Sequence, residues 1–122
     1  MSENKRSTIQ TMYQLIDENI IIQFFGDDDP EMLKEMVQII IDINIQELKG
    51  LDHFYKISDY QTIKKRCHKS KPSMSYIGAE LTKKIIEDIE SNLENSQQLN
   101  ETLQSHLVII EDELVRFMNT NN

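Results

Sequence analysis

The stretch LNETLQSHLVIIEDELVRF, residues 99–117, repeats its apolar side chains every three or four positions. The members of this stripe are Leu99, Leu103, Leu107, Ile110, Leu114 and Phe117. An α-helix turns once in about 3.6 residues, so this spacing places the whole stripe on one face, whereas a strand would alternate it between two faces. The stretch therefore predicts a long amphipathic helix that packs one face against the rest of the chain.

Two helical regions are predicted in the first half of the sequence. Apolar residues recur at helical spacing from Thr8 to Phe25, and a break near Asp17 indicates one or two short helices there. Asp29 followed by a proline is a helix start, because Asp accepts hydrogen bonds from backbone N–H groups and Pro suits the first helical position. We expect a long helix from Pro30 to about Lys56. The run of three isoleucines at 39–41 indicates burial on more than one side.

Two more helices are predicted between that region and the C-terminal helix. Ser58 is the expected N-cap of the first, and Gly78 closes it. The second covers about Ala79 to Leu93, and Asn95 with Ser96 separates it from the last helix. The apolar residues are Tyr60, Ile63, Cys67 and Met74 in the first helix, and Leu81, Ile85, Ile89 and Leu93 in the second.

The composition favours helices joined by short turns. The 122 residues include only 3 Gly and 2 Pro, which is too few for many tight turns between strands. Residues 1–7 and 119–122 are polar and are expected to be disordered. The sequence predicts a single all-α domain over residues 1–122, an antiparallel four-helix bundle with an additional short N-terminal helix.

Charge and cysteine content narrow the class of protein. The formal net charge of -8 argues against nucleic-acid binding, which needs a basic face. No apolar run reaches the roughly 20 residues that a membrane span requires. Cys67 is the single cysteine and lies on an apolar stripe, which indicates a small buried side chain rather than a redox group. We therefore expect a cytoplasmic protein that binds neither nucleic acid nor membrane.

One histidine lies inside a run of basic residues. A charge run is usually a solvated helix surface. His68, however, shares a row with Lys64, Lys71 and Ser75, separate from the apolar stripe, and should point away from the core. Lys71, one turn on, could neutralise part of the charge of a phosphoryl group on the imidazole, and Lys64 and Lys69 could assist. The basic run is Lys64, Lys65, Arg66, Lys69 and Lys71.

Pro72 follows His68 by one helical turn, where a large side chain would crowd the ring. A proline inside a helix costs about 3 kcal/mol and leaves the carbonyl of the residue four positions earlier without its usual donor. Two interpretations are open: Pro72 lies within the helix, or it ends the helix. Under either interpretation, no large side chain covers the surface around His68, which remains accessible.

Residues 67–73, CHKSKPS, followed by Gly78 and Ala79 and later by Ile89 and Glu90, resemble the signature of histidine-containing phosphotransfer domains. That signature is His-x-x-Lys-Gly-Ser, then Gly-Ala, then a Leu-Glu-like pair. Helix order and length are similar over nearly the whole chain, whereas the specific motif covers residues 67–90. Pro72 departs from the pattern, because the family most often has Gly there. The match includes Ser73 and Gly78.

The resemblance implies that a carboxylate or amide on the next helix hydrogen-bonds the phosphorylated histidine, and Glu90 occupies the matching position. Spacing supports this. His68 lies 10 residues before Gly78 and Glu90 lies 12 after it, or about 15 and 18 Å along two antiparallel helices. Glu90 could accept from Nδ1–H and leave Nε2 as the exposed nucleophile.

The resemblance further implies a phosphorelay intermediate. His68 would accept a phosphoryl group from an aspartyl phosphate of a receiver domain, in a hybrid sensor histidine kinase or a response regulator, and pass it to another. Receiver domains carry their own Mg2+, so no cofactor or metal is expected in this chain. We expect a monomeric phosphocarrier without ATP-dependent kinase activity, since 3 Gly cannot build Gly-rich nucleotide loops.

Two alternatives come from other functional classes. A helical module of the same shape could bind a protein partner without ever being phosphorylated. A metal-binding bundle enzyme is disfavoured, because the chain has no Glu-x-x-His pair and no two histidines at helical spacing. His53 and His106 lack a basic row around them and are expected to be structural or solvated.

Overall fold

The computed structural model describes residues 13–120, which form helices joined by short turns and contain no strand. This confirms the predicted all-α class. The part of the first helical region before residue 13 lies outside the described residues, as do residues 1–7 and 121–122. Within the described range, no helix is long and apolar enough to cross a membrane.

The helices follow one another closely along the chain. They are α1 (Glu18–Phe25), α2 (Pro30–Ile39), a π-helical segment (Ile40–Ile45), α3 (Gln46–Lys49), α4 (Leu51–Lys56), α5 (Tyr60–Tyr76), α6 (Glu80–Ser91), a 3-10 turn (Leu93–Asn95) and α7 (Gln97–Thr120). The predicted break at Asp17 is confirmed, because its side chain caps α1 by accepting from the backbone N–H of Asn19. Asp29 likewise caps α2.

The long helix predicted from Pro30 to Lys56 is interrupted twice, by the π-helical segment and at Gly50. Side chains from other turns and helices hydrogen-bond the carbonyls of this irregular region. Gln104 donates to the carbonyl of Leu48 at 2.8 Å, and Arg66 donates to that of Glu47 at 2.8 Å. These bonds tie the carbonyls of the irregular turns to side chains of α5 and α7.

The isoleucine run behaves only partly as predicted. Ile40 and Ile41 are buried, but Ile39 is 49% exposed. The wider π-helical turn begins at Ile40, so burial of successive residues starts there and not one position earlier.

Three further sequence predictions were wrong in detail. Asp59 caps α5 instead of Ser58, which has a positive φ of 54°. Leu81 is 67% exposed, and Thr82 is the buried residue beside it. The expected disordered tail begins too early, because α7 continues to Thr120, whose hydroxyl donates to a carbonyl one turn earlier.

Gly78 forms the turn that makes α5 and α6 antiparallel. Its φ is +71°, and a Cβ there would lie 2.6 Å from the Cβ of Asp17. The backbone N–H of Asp17 donates to the carbonyl of Ile77 at 2.9 Å. The turn therefore also fixes the start of α1 against the end of α5.

A buried carboxylate on α7 holds the segment before α1. Glu113 is 1% exposed, and its side chain accepts from the backbone N–H groups of Leu15 at 2.9 Å and Ile16 at 3.1 Å, and also from that of Gln14. The core itself is apolar and runs through all the long helices, as the predicted stripe of α7 required. The buried members of that stripe are Leu103, Leu107, Ile110, Leu114 and Phe117.

Candidate functional site

The α5 helix separates His68 from the core. Its residues Ile63, Cys67 and Met74 are completely buried, as the apolar stripe predicted, whereas the His68 side chain is 78% exposed. The helix is rigidly packed on one side, so the imidazole is presented to solvent from a fixed backbone.

Glu90 on α6 lies beside His68, as the helix spacing predicted. Its Oε2 is 3.6 Å from Nδ1 of His68, and its side chain is only 13% exposed. That distance is longer than a direct hydrogen bond. The expected Nδ1–Glu90 hydrogen bond is therefore not formed in this structure, although the carboxylate lies next to the ring.

Glu90 pairs instead with Lys71. The Nζ of Lys71 lies 3.0 Å from Oε1 of Glu90. Contact with the Glu90 carboxylate raises the pKa of Lys71, and Glu87 contributes to the same shift. The ammonium is therefore charged throughout the neutral range and lies one helical turn from His68.

A shallow groove of about 330 Å³ runs beside His68 between α5 and α6. Its α6 side includes Lys83 and Glu87, which the sequence analysis did not select. A signal was present, because Lys83, Glu87 and Glu90 recur at helical spacing. The lining residues are His68, Lys71, Pro72, Ser75, Lys83 and Glu87.

Pro72 lies within α5, so the alternative that it ends the helix is wrong. Its ring is exposed and lines the groove next to His68. Because proline has no backbone N–H, the carbonyl of His68 lacks the donor that a helix normally supplies four residues on. The surface one turn from the imidazole is thus small and apolar.

Most of the basic run points elsewhere. Lys69 pairs with Glu47 at 2.9 Å, and Arg66 reaches the same residue's backbone carbonyl. Lys64 is exposed on α5 but does not line the groove. Of the cations proposed to assist, the structure brings only Lys71 to the groove.

Ser73 does not lie at the site. It is buried, and its hydroxyl donates to Oδ1 of Asn44 at 2.8 Å. This bond ties α5 to the π-helical segment. Its position on another side of α5 follows from helical geometry, since five residues at about 100° each turn the side chain by a net angle of about 140° from that of His68.

Cys67 has the environment predicted from its place on the apolar stripe. Burial raises the pKa of its thiol to about 12, and the negative charge of Glu90 adds to the effect. The side chain remains a protonated thiol near neutral pH and is inert toward thiolate chemistry.

The other two histidines have no comparable surroundings. His53 is exposed, with its ring against Phe54 at a centroid distance of 5.1 Å. His106 faces α6, where its Nδ1 lies 2.8 Å from Oγ1 of the buried Thr82. Burial lowers the pKa of His106.

Within residues 13–120, no group of three His, Cys, Asp or Glu side chains is arranged to hold a metal ion. Comparison with models of known protein families, with curated protein sequences and with solved structures gave no match.

Proposed function

We propose that this chain is a phosphorelay intermediate of two-component signalling, in which His68 accepts a phosphoryl group from an aspartyl phosphate on one receiver domain and passes it to another. The overall arrangement we propose for it is a four-helix bundle with an additional short N-terminal helix. The chain carries the group but does not take it from ATP.

The observation that carries this proposal is the grouping of three side chains from two helices. An exposed imidazole, a largely buried carboxylate 3.6 Å from its Nδ1 and a cation 3.0 Å from that carboxylate lie together. Phosphoryl transfer needs mainly positioning and charge stabilisation from the protein. These three groups offer a nucleophile, a group to orient it and a positive charge.

In the proposed reaction, the lone pair of Nε2 of His68 attacks phosphorus in line with the acyl phosphate bond. A bond forms between Nε2 and phosphorus, and the bond between phosphorus and the aspartyl oxygen breaks. The aspartate leaves as a carboxylate. The ring then carries a positive charge with its proton on Nδ1, which the adjacent Glu90 stabilises electrostatically.

Lys71 is proposed to contact the phosphoryl group and to neutralise part of its charge. It pairs with Glu90 before transfer, and its ammonium is one helical turn from the nucleophile. A phosphoryl group brings nearly two negative charges and strong acceptor oxygens. Lys71 can therefore turn toward that group while remaining close to Glu90.

The surface next to His68 also supports docking of a protein partner. Tyr76 lies one turn beyond Pro72, which lies one turn beyond His68. The ring of Tyr76 contacts that of Phe24 at 5.1 Å, and Phe24 is 55% exposed. An apolar patch near the nucleophilic imidazole allows a partner to exclude water from the reacting groups.

The test is phosphate transfer from receiver domains phosphorylated on aspartate. The parent protein should accumulate acid-labile phosphate, and His68→Gln should accumulate none. His53→Gln and His106→Gln should retain acceptance. Far-UV circular dichroism and melting temperature of each variant establish that the fold is unchanged.

Two outcomes would contradict the proposal. Acid-labile phosphate on the His68→Gln protein would show that the site assignment is wrong. No transfer to the parent from any receiver domain, each verified as phosphorylated, would favour the alternative of an unphosphorylated binding module, which the apolar patch at Phe24 and Tyr76 would also serve.

A further inference from the structure

Lys83 differs from the other cation of the groove beside His68. Lys71 pairs with Glu90 at 3.0 Å, whereas Lys83 takes part in none of the ion pairs found among residues 13–120. Its neighbour Lys84 lies outside the groove and pairs with Asp88 at 3.1 Å. Lys83 is therefore a groove cation that is available to a ligand.

Lys83 lies too far along the groove to be the primary partner of a phosphoryl group on His68. The antiparallel helices place His68 level with Glu90, so Lys83, seven residues before Glu90, is level with Ser75. Seven residues of helix span about 10 Å. Lys71, one turn from His68, already fills the position next to the nucleophile. Lys83 and the Ser75 hydroxyl instead form the far end of the groove.

We propose that this groove binds a short acidic segment of the docking receiver-domain protein, with a carboxylate of that segment held by Lys83 and Ser75. The proposal rests on the proposed phosphorelay function and names how the partner is recognised. The main chain of the segment lies over the exposed ring of Pro72. About 10 Å of groove accommodates roughly three extended residues.

The charges of the groove favour one register of that segment. Lys71 and Lys83 are positive, and Glu87, three residues before Glu90, lies on the α6 wall level with Lys71. A carboxylate is attracted at the Lys83 end, while Glu87 repels a second one at the Lys71 end and can accept from a backbone N–H of the segment. Partners with an acidic residue at one position only are thus preferred, which is a source of specificity.

The decisive comparison is Lys83→Ala against Lys84→Ala. Both remove one positive charge from α6, and only the first removes it from the groove. With a receiver domain that transfers phosphate to the parent, Lys83→Ala should raise the KM for that receiver by about two- to fivefold. The maximal rate and the lifetime of isolated phosphohistidine should stay unchanged, and Lys84→Ala should match the parent.

The same comparison can also contradict the proposal. A shorter phosphohistidine lifetime in Lys83→Ala would mean that Lys83 holds the phosphoryl group and not the partner. KM values raised equally in the two variants would mean that only overall charge matters, and KM values equal to that of the parent in both would mean that Lys83 does not hold the partner; either result overturns the proposal. Added salt should shrink the difference between them, because an exposed ion pair is screened.

A second measurement needs no receiver domain. Titration of the 15N-labelled protein with a blocked Gly-Gly-Asp peptide, which carries a single carboxylate, should shift the amide resonances of Ser75, Lys83 and Glu87, and Lys83→Ala should abolish those shifts while Lys84→Ala retains them. Shifts spread over all basic residues, or shifts that persist in Lys83→Ala, would overturn the groove as an acidic-segment site. Failure of transfer to the parent, by contrast, bears on the proposed function alone.

Discussion

Replacing Gly78 by Ala should destabilise the protein and loosen α1, because the added Cβ atom is unfavourable for two separate reasons. The residue has φ +71°, and a side chain in that left-handed region costs about 1–2 kcal/mol. The new Cβ would also lie 2.6 Å from the Cβ of Asp17, where ordinary contact begins at 3.4 Å. Relieving such overpacking costs about 1–3 kcal/mol.

Alanine restricts the unfolded chain, which returns about 0.4–1 kcal/mol. The net loss in the free energy of unfolding is thus about 1–4.5 kcal/mol, with a middle value near 3 kcal/mol, from the same principles. For a domain of this size, each kcal/mol lowers the melting temperature by roughly 3–5 °C, so a fall of at least about 3 °C, and of about 10 °C for the middle value, is expected. Thermal and urea unfolding followed by circular dichroism measure both quantities.

Gly50→Ala is the matched control. Gly50 has φ -81°, and a Cβ there would lie 2.9 Å from the end of the Arg66 side chain and otherwise make only ordinary contacts. Moving that group costs at most its hydrogen bond to the Glu47 carbonyl, about 0.5–1.5 kcal/mol, and the alanine returns about 0.4–1 kcal/mol through the unfolded chain. Its free energy of unfolding should stay within about 1 kcal/mol of the parent. The close approach of α1 to the turn at Gly78 is refuted if two results are found together. Gly78→Ala would have the same melting temperature as Gly50→Ala, and the Asp17 amide would keep its protection from hydrogen exchange.

Three further predictions concern the site and its surroundings. Lys71→Ala should slow transfer or shorten phosphohistidine lifetime with the fold intact. Unchanged kinetics would show that Lys71 is only a surface charge without a role in transfer. Cys67, whose pKa is raised to about 12, should react with a thiol reagent only after unfolding, so prompt labelling of the native protein would contradict its burial. Burial lowers the pKa of His106, so its contribution to stability should be complete above about pH 6.5 and be lost as the pH falls through the lowered folded-state value. His106→Gln should flatten that part of the stability curve, and a curve equal to that of the parent would refute this origin.

The sequence was sufficient for the features that depend on periodicity. Helix type, the apolar stripes of α5 and α7 and the exposed position of His68 all follow from residues that recur with the helical repeat. The level positions of His68 and Glu90 followed from counting residues on either side of Gly78. Such inferences need only local geometry and one turn.

The features that the sequence could not predict depend on side-chain contacts between different helices and segments. Glu90 faces Lys71, 3.0 Å from its Oε1, and also His68, 3.6 Å from its Oε2. Which of the two neighbours lies close enough for a direct bond is settled by side-chain packing. In the sequence, nothing distinguishes Glu113 from any other acidic residue of an amphipathic helix. Its burial became evident only where the segment before α1 places three backbone N–H groups around it.

The π-helical segment Ile40–Ile45 makes the length of this region a determinant of the fold. Each residue of an α-helix adds about 100° of rotation. Deleting one residue, for example the exposed Asp42, would allow regular α-helix to form there and would turn α2 by about that angle relative to α3. Leu33 and Val37, now buried, would leave the core, and the exposed Met32 and Met36 would approach it. A chain with the same apolar residues and one position fewer would thus present a different face of α2 to solvent.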